Sequence, residues 1–476
     1  MSQQHLELKP TLKLSWVYAM AVGSAIGWGA FVLPYQWLVS SGLTAVLTGF
    51  AIATLLISII AINYGYATRR IPVTGGGIVF ALSSLGHMHS FIAGWSLMLG
   101  YIGIVALNAS AVSLVFRLIF PDFMQLLPLY EIAGWTIYAP EVVISSVFLC
   151  LFAYLNVKNT AFSGKVQFIA VLLLLLAVAI IFTGTGINFL NNPSSLVFNP
   201  PENVSFWTAC FTIVAFAPWA YVGFDSIPQI AGEFKFSAQK IMKLLIASIF
   251  SASLLYMAMV SASAFAFGES IQQYAQSAWA TGSAIENNMG KVGLILLTLA
   301  VSMGVLTGLN GFYLAASRVI LTMGRSQMLP SIFSKLHPKY QTPYIAIYSI
   351  MLICLISPWF GRSALLWIVD MTSVGIAMSF FYTCYCTYTL GKNGQVLGQP
   401  LQEKSKVQQW IGLLGCVISL GFLTLLLVPS SPGSLSQESW YALSLWLVLG
   451  LALFYSRKKQ FYQLSQQQLY QRLTQS

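Results

Sequence analysis

The chain is written in long apolar runs separated by short polar ones, and the length of those runs decides its class. Twelve of them occur, near 15–39, 43–65, 90–118, 140–156, 163–184, 206–231, 241–267, 291–323, 344–360, 364–390, 409–428 and 437–456. A helix needs about 20 apolar residues to cross a bilayer, and it satisfies its backbone groups within the segment. No segment alternates with period two, so the pattern predicts helices and excludes a closed barrel. The expectation is an all-α polytopic membrane protein with twelve transmembrane helices. Composition agrees, since 7% of residues are charged and 57% hydrophobic, where a soluble domain carries about 25% charged residues.

Two runs are interrupted where a helix should be continuous. The first contains "AVGSAIGWGAFVLP", Ala21 to Pro34, with three glycines, each costing roughly 0.5–1 kcal/mol relative to alanine in a helix interior. The sixth reads "FAPWAYVGFDSIPQIAGEF", Phe216 to Phe234, where Pro218, Gly223, Pro228 and Gly232 break the pattern and Asp225 places an acid inside it. A single glycine-rich span is often a packing notch. Here the two breaks are the first members of two successive five-span halves, the arrangement that points to a transporter's substrate site. Unwound backbone at membrane depth is tolerated where it lines a cavity or binds something. Half-helix N-termini suit a carboxylate, and freed carbonyls suit an ammonium or a cation.

Charge adds topology. The net charge is +11, and with the N-terminus inside, all Lys and Arg except Arg117, Lys291 and Arg362 fall on the cytoplasmic side. That bias is the positive-inside rule; it places both termini in the cytoplasm of a protein of the inner or plasma membrane. No aromatic-interleaved basic patch suggests nucleic-acid binding. The six cysteines, Cys150, Cys210, Cys354, Cys384, Cys386 and Cys416, lie in apolar spans without metal-ligand spacing and read as buried hydrophobes. His5, His87, His89 and His337 form no catalytic or metal motif, so an enzyme is not expected. The segment 119–139 is expected along the membrane interface, and the Gln-rich tail "YQLSQQQLYQRLTQS" as a partly ordered extension.

Several stretches resemble the amino acid–polyamine–organocation permeases. "GSAIGWGAF" is similar to the family's first-span signature, "RRIPVTGGGIVF" to its proline and double-glycine segment, and "WAYVGFDSIPQIAGEFK" to its sixth span. "LNGFYLAASRVILTMGRSQMLPSIFSKLHPKYQTP" resembles span 8 and its loop, and "WIVDMTSVG" the start of span 10. The resemblance covers most of 15–390. It implies a leucine-transporter-like inverted five-helix repeat with broken helices 1 and 6, and alternating access at the bilayer midplane. The domain reading is then a cytoplasmic N-terminus at 1–14 and a ten-helix core at 15–390, with halves near 15–184 and 206–390. A linker with two accessory helices follows at 391–456, and a cytoplasmic tail at 457–476.

Carried over by resemblance, the substrate carboxylate would meet N–H groups around Gly27, Trp28 and Gly29. Its amino group would meet the carbonyls of Ala25, Trp219 and Val222, with Trp219 as a gate over the substrate. Trp28 fills a position that is usually small; its side chain either enters the pocket and shrinks it or faces a neighbouring helix. The family's "GGE" reads Gly75-Gly76-Gly77, and its paired acids after span 6 reduce to Glu233. Some proton-coupled relatives carry a lysine in span 5, and Leu174 stands at that position. A sodium site would use first-span carbonyls with the hydroxyls of Ser302 and Thr307, although such hydroxyls also bond their own backbone. Asp225 matches an acidic position linked to protons in some relatives, or else it braces the broken helix. Asp370 reads as structural. Tyr101 and Asn108 share one face of span 3 and can line the cavity or bond between helices.

The sequence therefore reads as a secondary transporter of an amino acid or related amine, a symporter or exchanger needing no cofactor. Small neutral amino acids are the first expectation for the substrate. The alternative is a non-transporting sensor or a channel on the same scaffold. Coupling to Na+ or H+, direction and oligomeric state stay open.

Overall fold

The computed structural model describes residues 8, 10–132, 134–158, 160–193, 195–277, 279–401 and 403–474. His5 and most of the 1–14 segment lie outside the described residues. In chain order the helices are α1 (Leu14–Ala25), α2 (Gly29–Val32), α3 (Pro34–Arg70), α4 (Gly76–Leu85), α5 (His87–Ile119), α6 (Pro121–Met124), α7 (Ala139–Lys158), α8 (Thr160–Asn191) and α9 (Phe206–Ala215). They continue with α10 (Ala217–Ala220), α11 (Ile241–Phe267), α12 (Ala280–Arg325), α13 (Tyr344–Cys354), α14 (Gly361–Asn393), α15 (Lys406–Leu427), α16 (Gln437–Phe461) and α17 (Gln466–Thr474). Two antiparallel hairpins complete the order, β1 (Pro128–Ile132) with β2 (Trp135–Tyr138), and β3 (Gln395–Val396) with β4 (Gln399–Pro400).

Among the described residues, 9 helices are long and apolar enough to cross a membrane. They take up nine of the apolar runs. The runs 15–39, 206–231 and 344–360 fall instead on interrupted helices. The first is α1, an unwound step, α2 and the start of α3. The division between the first two runs is a kink within α3 at Gly42, whose φ is 68°. There the carbonyls of Val197 and Phe198 accept the N–H groups of Leu43 and Thr44 at 2.9 and 3.0 Å, so chain from a distant loop satisfies the opened turn. In the same way α12 is kinked at Gly290, just before the run that begins at residue 291.

The core forms where α12 packs on α5 and α8, α3 on α9 and α11, and α14 on α5 and α15. Of the nine long apolar helices α16 is the least buried, and it presents Tyr441, Leu445, Val448 and Leu451 outward, the pattern of a helix facing acyl chains. It is held by Trp95, whose ring stacks on Trp446 with centroids 4.4 Å apart. It is also held by Asp370, which accepts from Ser436 N–H at 3.2 Å and Ser439 Oγ at 2.8 Å at the start of the helix. That bracing is the structural role expected of Asp370.

Between α5 and α7 the chain folds as α6 and the hairpin β1–β2; Arg117 lies 4.2 Å over the Trp135 ring and 3.0 Å from Glu141. Two features differ from expectation. Cys150 is exposed on the outer side of α7, whereas the other five cysteines are buried. The tail forms α17 and docks, with Leu469 and Leu473 buried one turn apart. The ring of His87 stacks on Tyr462 at 4.9 Å, and Gln466 Nε2 donates to the Leu82 carbonyl at 2.5 Å. The glutamines around this i, i+4 apolar pair made the segment read as loosely ordered.

Leu469→Asp puts a charge on a fully buried docking position, and α17 is expected to detach. Hydrogen exchange of residues 466–474 and 82–89 should then accelerate together; unchanged protection would show that the docking does not depend on this contact.

Candidate functional site

The two breaks expected from the sequence touch each other. α1 ends at Ala25, with Ile26 at φ −106° and ψ 88°, and α2 restarts at Gly29. The sixth run is split twice: α10 carries Pro218 in its first turn, and a 3-10 helix, Phe224–Gln229, follows Gly223. Gly223 has φ 138° and ψ −44°, a conformation that L side chains rarely adopt. A Cβ there would also lie 2.7 Å from Ala25 N and 2.9 Å from the Ala21 carbonyl oxygen, so the second break fits onto the end of α1 only as glycine.

Trp219 covers the first break. Its ring lies directly on Gly29, where a Cβ would collide with Cη2, and its centroid is 6.2 Å from that of Trp28. Both tryptophans are buried, so the Trp28 side chain turns toward the sixth-run break. Beneath them the N–H groups of Gly27, Trp28, Gly29 and Ala30 have no hydrogen-bond partner among the described residues. These are the unpaired donors that any helix start leaves. Of the three carbonyls named for an amino group, Ala25 O accepts from Tyr256 Oη at 3.2 Å and Trp219 O from Val222 N–H at 3.3 Å. The Val222 carbonyl accepts from no described residue.

Asp225 is fully buried and braces the second break. Its Oδ1 accepts the Gly223 N–H at 2.8 Å, and its Oδ2 accepts Tyr101 Oη at 2.8 Å. Gln229 links this cluster to the glycine segment before α4: its Nε2 donates to the Asp225 carbonyl, its Oε1 accepts Gly77 N–H at 3.2 Å, and its carbonyl accepts Gly75 N–H at 2.9 Å. Asn108 Nδ2 donates to Ile104 O on its own helix at 3.0 Å, while Oδ1 is unpaired and faces Gly27. Tyr101 and Asn108 thus serve different residues of the two breaks.

The two hydroxyls named for sodium are not brought to one place. Thr307 Oγ1 lies 3.0 Å from the Gly23 carbonyl of α1, whereas Ser302 Oγ folds back on Thr298 O at 2.7 Å. Beside Thr307 runs an amide chain that the sequence reading did not single out. Gln167 Nε2 donates to Thr307 O at 3.0 Å, Asn310 Nδ2 to Gln167 Oε1 at 3.0 Å, and Asn156 Nδ2 to Asn310 Oδ1 at 3.1 Å. Leu174, also buried, sits about two turns further along α8.

A second missed feature joins α12 to the segment after the sixth run. Arg318, fully buried, grips Glu233 bidentately, Nε to Oε1 at 2.7 Å and Nη2 to Oε2 at 3.0 Å. The carbonyl of Glu233 accepts the N–H groups of Thr11 and Leu12 at 3.0 Å each, and Lys235 N–H returns to Leu12 O at 2.9 Å. The signal was present as an arginine inside an apolar run, because such a residue needs a partner.

Residues 12–452 match a family model described as amino acid permease. The chain is similar to the branched-chain amino acid permease BcaP of Bacillus subtilis, 25% identical over 92% of this chain and 91% of the relative. It is also similar to BcaP of Lactococcus lactis, 25% identical over 92% of each, and to the glutamate/serine transporter AimA of Bacillus subtilis, 25% identical over 85% of this chain and 74% of the relative.

Removing one partner of a buried ion pair leaves an unpaired charge and costs about 3–5 kcal/mol. Glu233→Gln and Arg318→Met are each expected to lower the melting temperature in detergent by many degrees. The pair of changes Glu233→Leu with Arg318→Met should recover most of the loss. Equal destabilisation by the single and double variants would refute a mutual role.

Proposed function

The chain belongs to the amino acid permease family, and from that premise we propose that it is a secondary transporter carrying an amino acid or related amine by alternating access. One observation carries the reading: two broken helices meet at Gly223, and unpaired backbone donors lie at their junction under the ring of Trp219. A substrate carboxylate on the N–H groups of Gly27, Trp28 and Gly29 would complete the hydrogen bonding of α2, and the helix dipole favours it there. The Val222 carbonyl is the open acceptor for the ammonium. Those of Ala25 and Trp219 would first exchange their present partners.

In this reading the chain crosses the membrane twelve times, with both termini in the cytoplasm, as a leucine-transporter-like repeat over 15–390 and two accessory helices. Trp219 is the gate over the substrate. The Glu233–Arg318 pair and the strap of Leu12 close the cytoplasmic path, and their release opens it. Amino-acid relatives over most of the chain support the substrate class. Asp225, held by Tyr101 and Gly223, is the proton-linked candidate, and Thr307 with Ser302 the sodium candidate; an exchanger would need neither.

Uptake of labelled amino acids into proteoliposomes tests the reading, with sodium gradients, proton gradients and preloaded substrate imposed separately. Saturable uptake is expected, and Trp219→Ala should reduce it by about tenfold or more through loss of the covering ring. Saturable binding without flux for any amino acid or amine would sink the transporter and favour a sensor; flux that does not saturate would favour a channel.

A further inference from the structure

Two side chains at the first break are buried and each keeps one polar atom unpaired, and these two atoms are complementary. Trp28 is 2% exposed and offers an indole Nε1–H without an acceptor. Asn108 is 1% exposed and offers Oδ1 without a donor. The orientation of the Asn108 amide follows from its other bond: the atom on the Ile104 carbonyl at 3.0 Å must be the donor Nδ2. Oδ1 is therefore the atom turned to the unwound segment, 3.6 Å from where a Cβ on Gly27 would stand. Trp28 follows in the chain, and its ring is turned toward Trp219. Ser24 Oγ is also unpaired, but it lies against Gly311 of α12, away from this face.

Buried polar side-chain atoms almost always find partners, so an unpaired donor and an unpaired acceptor at one break need an explanation. The head group of an amino acid does not supply it, because backbone N–H groups and the Val222 carbonyl are already available to carboxylate and ammonium. What remains is one donor and one acceptor for a substrate side chain. A hydroxyl matches both, since it donates one hydrogen bond and accepts others. An aliphatic side chain leaves both atoms unpaired, a carboxylate has no hydrogen to give the Asn108 oxygen, and an ammonium has no lone pair to offer the indole N–H. The indole itself takes up space at the break, which favours a small side chain.

We propose that this site selects a small hydroxyl-bearing amino acid, of the serine and threonine class, whose side-chain hydroxyl donates to Asn108 Oδ1 and accepts from Trp28 Nε1–H. The inference rests on the transporter reading above. It makes Trp28 and Asn108 the specificity-determining pair for side chains, apart from the backbone groups that hold the head.

The test is the ratio of kcat/KM for uptake of threonine and of valine, which have nearly the same shape, by the intact protein in proteoliposomes; serine and alanine form a second pair. Threonine should be preferred by roughly ten- to a hundredfold, the factor that one buried group left unpaired is worth. In Trp28→Phe and in Asn108→Leu, each of which removes one polar partner, the ratio should fall toward one. A ratio taken within one variant does not depend on how much of it folds. A wild-type ratio near one, with uptake otherwise intact, overturns the proposal and leaves the transporter standing. A wild-type preference that survives both substitutions also overturns it, by showing that other groups read the hydroxyl. No uptake of any amino acid fails the transporter reading instead.

Discussion

Backbone N–H and C=O groups released inside a bilayer have no water to turn to. The structure around residues 26–30 and 216–229 is organised by that constraint. Three means of meeting it are visible. Side chains take some groups, as Asp225 takes the Gly223 N–H and Tyr256 the Ala25 carbonyl. Close packing of glycine brings one break against the other, as Gly223 does at the end of α1. What remains unpaired, the first donors of α2, is gathered under Trp219. A fold meeting the constraint completely would have no donors left for a ligand there, and the proposed substrate site rests on this incompleteness.

α12 is the element against which the first helix is referenced. Along its length Gly304 lies against the Ile26 carbonyl, Thr307 reaches the Gly23 carbonyl, and Arg318 holds Glu233. The chemistry changes along this line. Near the break the ties are neutral, hydroxyl to carbonyl and amide to amide through Gln167, Asn310 and Asn156. Neutral ties in a low dielectric hold position at modest net strength. Toward the Leu12 end the tie is a desolvated ion pair, whose parting exposes two charges that must each find water. A contact of that kind has two sharply different states, paired and hydrated, and this is why the proposed transport cycle places its opening there.

Much of the architecture was legible along the chain because membrane crossing is a one-dimensional requirement. Run length gave the helices, and even the limits of the runs at 39–43 and 291 coincide with the kinks at Gly42 and Gly290. Glycine and proline marked the interrupted spans because their backbone effects are local. The tail was read less well. It packs against α4 with Leu469 and Leu473 buried, and a single sequence of glutamines and leucines does not say whether such a partner is near.

The site divided along the same line. The sequence by itself determined that this is a polytopic helical protein of the amino acid permease kind, with breaks in the first and sixth runs and an acid at the second. The spans, the breaks and the acid follow from the composition and order of neighbouring residues, and the permease kind from the resemblance of the quoted stretches. Only the tertiary structure decided that Trp28 turns toward Trp219, that Asn108 leaves its oxygen unpaired beside Gly27, and that Arg318 pairs with Glu233 across 85 positions. The same holds for Thr307, which reaches the Gly23 carbonyl of α1 while Ser302, five residues earlier, bonds back within its own helix. Side-chain direction and partner choice are set by which helices come to lie side by side, and apolar spans of similar composition carry little record of that.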